Sequence, residues 1–178
     1  MSYEIFEIYD DFLIKEEYER LKEYYEESKE RLRNGYCWHT YQEPDKVGEI
    51  ILDKFKAGPG LQMVQPPALA RCICFEDQQA GYEIWSNLHA PSWHLDKDED
   101  LYHQENILNF PNFSIVYYLH VGEDLKGGEL CTEDITVKPK TNRLIAFSKG
   151  ILHKVNEFEG ERVAISINPW MKIPLAYR

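Results

Sequence analysis

Two textures divide this chain. In its first third, apolar side chains recur at helical spacing: Leu13, Tyr18, Leu21 and Tyr25 stand in a run otherwise crowded with Glu and Lys. That spacing predicts an amphipathic helix from residue 12 to about 33, with Asp10-Asp11 as its cap and Asn34-Gly35 as its stop. A second helix is predicted from about residue 44, through Val47, Ile50, Ile51, Leu52 and Phe55, to the breakers Gly58-Pro59-Gly60. Ahead of both, residues 3–8 alternate well enough for a short strand. Amphipathic helices of this kind cover one side of a sheet.

Past the loop Gln65-Pro66-Pro67 the period changes. Segments 69–75, 82–88, 113–121, 128–132, 135–137, 143–147, 152–155 and 162–170 read as short strands divided by Gly, Pro, Asn and Asp. Strands at this spacing predict a double-sheet jelly roll or barrel, so the expected class is α+β and mainly β. One domain is expected over residues 1–178, with a helical N-terminal layer (1–65) packed on one sheet of a β core (66–178). Neither an internal repeat nor a low-complexity tract is visible.

Composition narrows the partners. Hydrophobic residues at 43% and aromatics at 13% fit a folded globule. The excess of 31 acidic over 20 basic side chains, a formal charge of -11 with no Lys/Arg cluster, disfavours nucleic acid. Cys37, Cys72, Cys74 and Cys131 have neither zinc-knuckle spacing nor the density of a disulfide scaffold, which suggests reduced thiols in a cytoplasmic protein. The acidic start, Met1 to Glu7, is unlike a signal peptide, and no run reaches membrane-spanning length, so no membrane association is expected.

The candidate chemistry centres on Trp93-His94-Leu95-Asp96. Side chains alternate faces along a strand, so His94 and Asp96 point one way and Leu95 the other. A second imidazole from a remote strand, with His153 the candidate, completes a two-histidine, one-carboxylate set. Such a set leaves one face of an octahedral ion open, as in non-haem Fe(II) oxygenases. His-x-Asp alone is a common tripeptide; the residues around His153 give it weight.

Taken in order, those residues are His94-Leu95-Asp96, Val116-Tyr117-Tyr118-Leu119, Gly127-Gly128-Glu129-Leu130, Pro139, Arg143-Leu144-Ile145-Ala146-Phe147, His153 with Val155, and Gly160-Glu161-Arg162 leading to Trp170. Over residues 82–170 the chain resembles the Fe(II)/2-oxoglutarate-dependent dioxygenases, specifically the prolyl-4-hydroxylase-like branch and its short stand-alone bacterial and phage members. The resemblance implies a double-stranded β-helix of cupin-like type. It also implies Fe(II) held by His94, Asp96 and His153, with 2-oxoglutarate and O2 as co-substrates and ascorbate as an aid. Arg162 would then fork onto the far carboxylate of 2-oxoglutarate, a geometry that suits a guanidinium better than an ammonium. Tyr118 would add a hydroxyl, with Ser166 and Ser114 as further donors. Trp85, Trp93 and Tyr102, and Tyr82 with them, flank the triad in sequence and are candidates to line a substrate groove or simply to pack.

Other features read more plainly. His39, His89, His103 and His120 are expected at the surface or in ordinary hydrogen bonds, and Gly127-Gly128 in a tight turn. Lys97 to Asp100 reads as a solvated loop, and whether 97–111 forms a lid is left open. Asn142 stands where the family usually has glycine, which asparagine can imitate in left-handed backbone. A tyrosine often found before the first histidine in this branch is absent, so substrate positioning stays open. A carboxylate at the third ligand position favours hydroxylation over halogenation. The implied reaction is hydroxylation of an unactivated C–H, in a prolyl residue of a peptide or protein. Two alternatives stay open: the same chemistry on a free amino acid or other small molecule, and a non-enzymatic cupin-like binding module.

Overall fold

The computed structural model describes residues 6–58 and 80–178. The strand expected at 69–75, with Cys72 and Cys74, lies outside them. Elements follow in the order β1 (Phe6–Tyr9), α1 (Lys15–Arg33), β2 (Cys37–His39), α2 (Lys46–Ala57), β3 (Gly81–Asn87), α3 (Glu99–Glu105) and β4 (Phe113–Val121). After these come β5 (Lys126–Gly127), β6 (Leu130–Cys131), β7 (Thr136–Val137), β8 (Arg143–Ser148), β9 (Lys154–Val155), β10 (Phe158–Glu159) and β11 (Arg162–Trp170), then a 3-10 turn over Leu175–Tyr177.

The large sheet runs β1-β8-β4-β11-β3-β2, every neighbour antiparallel. Facing it are the three-stranded β7-β6-β9 and the two-stranded β10-β5. This is the double-sheet jelly roll expected from the strand spacing, in the double-stranded β-helix form that the resemblance implied. The N-terminal segment is less purely helical than its periodicity suggests, because it also supplies both edge strands, β1 and β2. Strand β1 lies close to the one expected at residues 3–8, whereas β2, at three residues, is too short to register as alternation between the helices.

Alternation on the central strands divides the interior in two. Outward from the large sheet, Tyr82, Ile84, Ile115, Tyr117, Leu119, Ile165 and Ile167 pack against Leu21, Tyr25, Ile51 and Phe55 of the two helices. Between the sheets, Val116, Tyr118, Ile145, Phe147 and Ala164 meet Leu130, Val137, Ile151 and Val155. Burying these side chains stabilises the chain by roughly 1.5–3 kcal/mol for each large one. Helix α2 seats closely because Gly48 lies against the Tyr82 ring, where a Cβ would come within 2.7 Å of a ring carbon.

Helix α1 starts later than the acidic pair suggested. Its N-cap is Ile14, whose N–H donates to Glu17 Oε2 at 3.1 Å. Asp10 is instead drawn to Arg143, whose Nε and Nη2 donate to its carboxylate at 2.6 and 3.0 Å. Asp45 caps α2 by accepting from Val47 N and Gly48 N, and it pairs with Arg31. Asp98 is also a correction. Rather than belonging to a solvated loop, it is 3% exposed and caps α3, accepting from Leu101 N and from Leu175 N. Among the described residues no helix is long and apolar enough to cross a membrane.

Asn142 has a φ of 59°, the left-handed backbone its place in the β7–β8 loop requires. Its side chain does more than a glycine could. Oδ1 accepts from Leu13 N (3.0 Å) and Tyr117 Oη (2.9 Å), and Nδ2 donates to Leu13 O (2.8 Å). Replacing it by Gly keeps the backbone but loses these bonds, so Asn142→Gly should lower the unfolding free energy by about 2 kcal/mol in urea denaturation. Asn142→Ala adds left-handed strain of roughly 1 kcal/mol more, and equal stability of the two variants would refute that ordering.

Candidate active site

His94 and His153 meet through their own backbones. His94 N donates to His153 O at 2.9 Å and His153 N to His94 O at 3.0 Å, an antiparallel bridge outside the named strands. The ring centroids lie 4.2 Å apart. Each ring is also oriented by a carbonyl two residues earlier: His94 Nδ1 lies 2.8 Å from Ser92 O and His153 Nδ1 lies 2.9 Å from Ile151 O. Since a carbonyl only accepts, both Nδ1 atoms carry the proton, and both Nε2 lone pairs are free.

The free nitrogens converge on Asp96. Nε2 of His94 is 3.8 Å from Oδ1 and Nε2 of His153 is 3.9 Å from Oδ2. One ligand atom from each of the three falls within 4.8 Å of the others, a group that could hold a metal ion. Two neutral imidazoles and one carboxylate suit a divalent first-row metal. Burial depresses the pKa of His153, with Asp96 opposing and His94 reinforcing, so its ring stays neutral and able to donate its lone pair.

Ser114 departs from its expected place. Its hydroxyl donates to Asp96 Oδ2 at 2.6 Å, orienting that carboxylate rather than sitting beside Tyr118. Both residues face inward on β4, but four residues of strand separate them by about 13 Å. Ser166 is buried on the same face of β11, where it accepts from Asn87 Nδ2 at 2.6 Å.

Arg162 begins β11 and is 4% exposed. Its guanidinium carbon lies 5.2 Å from the ring centroids of both Tyr118 and Phe158. Gly128 stands against its stem, where an added Cβ would come within 3.2 Å of Arg162 Cδ. Among the described residues, Nε, Nη1 and Nη2 find no hydrogen-bond partner although all are buried, and the same holds for Tyr118 Oη. Burial raises the Tyr118 pKa, with Arg162 pulling the other way, so the phenol keeps its proton. Five N–H donors and one hydroxyl thus converge unspent in the space between the sheets.

The aromatic candidates flank the cluster. Trp85 faces inward on β3, packs against Tyr36 with the ring centroids 4.7 Å apart and the planes tilted by 59°, and donates to Asn87 Oδ1. Trp93 is exposed, with Lys154 over its ring, and Tyr102 on α3 carries Lys97 in the same way. Tyr82, by contrast, belongs to the helical side of the sheet, fully buried there, because alternation on β3 sends it opposite to Trp85.

Two residues beside the triad gave no motif signal, Glu83 and Asn168. With Tyr36, Tyr177 and Asp96 they wall a cavity of about 180 Å³. Alternation along β3 and β11 could have found them, since Glu83 shares a face with Trp85, and Asn168 with Ser166. Trp170 Nε1 and Tyr177 Oη donate to Glu83 at 2.8 and 3.1 Å. Burial nonetheless raises its pKa from 4.5 to about 7, these two bonds opposing and nearby Asp96 and Asp98 adding to the rise.

The chain compares with known proteins as follows. Residues 83–172 match the family model of the 2OG-Fe(II) oxygenase superfamily. A PKHD-type hydroxylase of Prochlorococcus marinus (strain NATL2A) is 26% identical over 122 residues, 66% of this chain and 49% of that protein. The chain therefore spans about half the length of this curated relative. A Pseudomonas putida prolyl-4-hydroxylase superposes with a TM-score of 0.63 at 16% identity, covering 94% of this chain and 93% of that one. The viral collagen prolyl hydroxylase of Paramecium bursaria Chlorella virus-1, in its 2OG complex, gives 0.58 at 16% identity, covering 93% of each chain. At such identities the likeness establishes the fold.

Glu83 yields a pH test on the metal-free protein. Between about 4.5 and 7 the folded chain holds a proton that the unfolded chain has released. Its contribution to stability is full below that window, falls as pH rises through it and is level above. Glu83→Gln should therefore lose less of its urea midpoint between about pH 5.5 and 8 than the wild type does. Parallel profiles would show that Glu83 titrates normally.

Proposed function

Since the chain belongs to the 2OG-Fe(II) oxygenase superfamily, we propose that it is an Fe(II)- and 2-oxoglutarate-dependent dioxygenase that hydroxylates an unactivated C–H, the substrate being a prolyl residue in a peptide or protein. The observation that carries the reading is the buried, unpartnered guanidinium of Arg162 beside the hydroxyl of Tyr118. An unpaired buried cation is costly, and a carboxylate offered in fork geometry relieves that cost.

Placement supports each role. His94, Asp96 and His153 would hold Fe(II), with the imidazoles oriented by Ser92 O and Ile151 O so that their Nε2 lone pairs face the Asp96 carboxylate. Ser114 fixes the Asp96 carboxylate by its hydrogen bond. Arg162 and Tyr118 bind the distal carboxylate of 2-oxoglutarate between the sheets, where Phe158 and Val116 exclude water. Fe(II) held there would supply the oxidising chemistry by which a substrate C–H becomes C–OH at the expense of O2, while 2-oxoglutarate is converted to succinate and CO2. A polypeptide substrate is supported by an open approach: the His94 side chain is 35% exposed and its neighbour Trp93 stands at the surface. Two solved neighbours that are prolyl hydroxylases support proline as the target.

The test is consumption of 2-oxoglutarate by protein loaded with Fe(II) and ascorbate, against Asp96→Ala. Equal consumption by both, or none by either, removes the oxygenase reading. Arg162→Lys keeps the charge and loses the fork, so the apparent affinity for 2-oxoglutarate should fall about tenfold or more while Fe(II) affinity changes little. Ser114→Ala should do the reverse, weakening Fe(II) binding by roughly tenfold, read by metal titration, with less effect on 2-oxoglutarate affinity.

A further inference from the structure

The cavity walled by Glu83 and Asn168 has an unusual balance of hydrogen-bonding groups. Asn168 is 3% exposed, and its buried Oδ1 has no partner among the described residues. Around it stand the carboxylates of Glu83, Asp96, Asp98, Glu99 and Asp100, with Lys97 as the one basic residue of the lining. Lys97 is already paired with Glu99. Glu83 receives only the neutral donors Trp170 and Tyr177, and Asp98 only two backbone N–H groups. Among the described residues, neither Glu83 nor Asp98 has a Lys or Arg partner.

Acceptors and negative charge therefore exceed donors in a recess that opens beside His94 and Asp96. An acidic group entering it would meet repulsion from several carboxylates, and a purely apolar group would leave Asn168 Oδ1 unpaired. A cationic N–H donor answers both conditions, and a guanidinium fork can reach an amide oxygen and a carboxylate together. We propose that the recess of Glu83, Asn168, Tyr36 and Tyr177 is a substrate subsite that takes a basic side chain lying near the residue to be hydroxylated. Tyr36 sets one wall, its exposed ring against Trp85 leaving a face on which a guanidinium can stack.

This inference rests on the oxygenase reading, and the experiment separates the two. At about pH 8, where Glu83 is ionised, the Fe(II)-loaded protein is given proline peptides that carry arginine at successive positions on either side of the proline, each matched by citrulline, the neutral isostere. At one position the arginine peptide should show a KM about tenfold below its citrulline partner, as expected for a charge-assisted hydrogen bond in a half-buried site. Glu83→Gln should close that gap by raising the arginine peptide's KM alone, and Asn168→Leu should narrow it in the same way. The wild-type comparison stands even where a variant fails to fold. If 2-oxoglutarate is consumed but no arginine peptide is favoured over its citrulline partner at any position, the subsite is overturned and the oxygenase stands. If no 2-oxoglutarate is consumed at all, both fall together.

Discussion

Two reciprocal backbone hydrogen bonds, between His94 and His153, are the constraint from which the rest of the site follows. They join a loop after β3 to the residue preceding β9, and so tie the two sheets at one point. With the backbones locked, each ring needs only one further contact, Nδ1 to a carbonyl two residues back, to aim its lone pair inward. Asp96, two residues along, then falls on the same side and is fixed by Ser114 from β4. No side chain in this arrangement has to search through many rotamers, which is what holding an ion within narrow distances demands.

Strand β4 acts as a ruler for the interior. Ser114 at one end supports the carboxylate of the triad, and Tyr118 at the other faces the guanidinium of Arg162. Val116 lies between them on the same inward face and contributes to the apolar cluster. Period-two alternation fixes all three on one side of the sheet, and antiparallel pairing with β11 sets Ala164 opposite Tyr118 and Ser166 opposite Val116. A bulge between Val163 and Ala164 shifts that register once, next to Arg162. Bulges re-aim side chains in this manner beside functional sites.

Much of this was legible before any coordinates. The strands carrying Tyr118 and Arg162 run as read, Phe113–Val121 and Arg162–Trp170, because central strands buried on both faces are long runs of β-branched and aromatic residues bounded by turn residues. Asn142 announced its left-handed backbone. What stayed hidden was short or depended on distant partners. Strands of two or three residues such as β2, β5 and β10 carry no period, and α3 looked like solvated loop because its cap, Asp98, is buried by the C-terminal turn around Leu175. Asp10 resembled a helix cap until Arg143, 133 residues away, claimed it. Ser114 and Tyr118 were read as neighbours since they share a face; which end of the strand each served depended on the placement of Asp96. Glu83 and Asn168 matched no motif, and only their convergence across two strands makes them a pair.

Charge is arranged along the interior in a way that the net value of -11 conceals. Among the described residues the one deeply buried cation, Arg162, lies at the Tyr118 end, and the carboxylates of Glu83, Asp96 and Asp98 gather at the other. A small dicarboxylate entering between the sheets is drawn towards the guanidinium and repelled from the acidic recess. A basic side chain meets the opposite field. In a low-dielectric interior such opposed fields act strongly over a few ångströms. Under the proposed function, co-substrate and substrate would thereby be sorted to different sides of the triad by electrostatics, before any shape selection is needed.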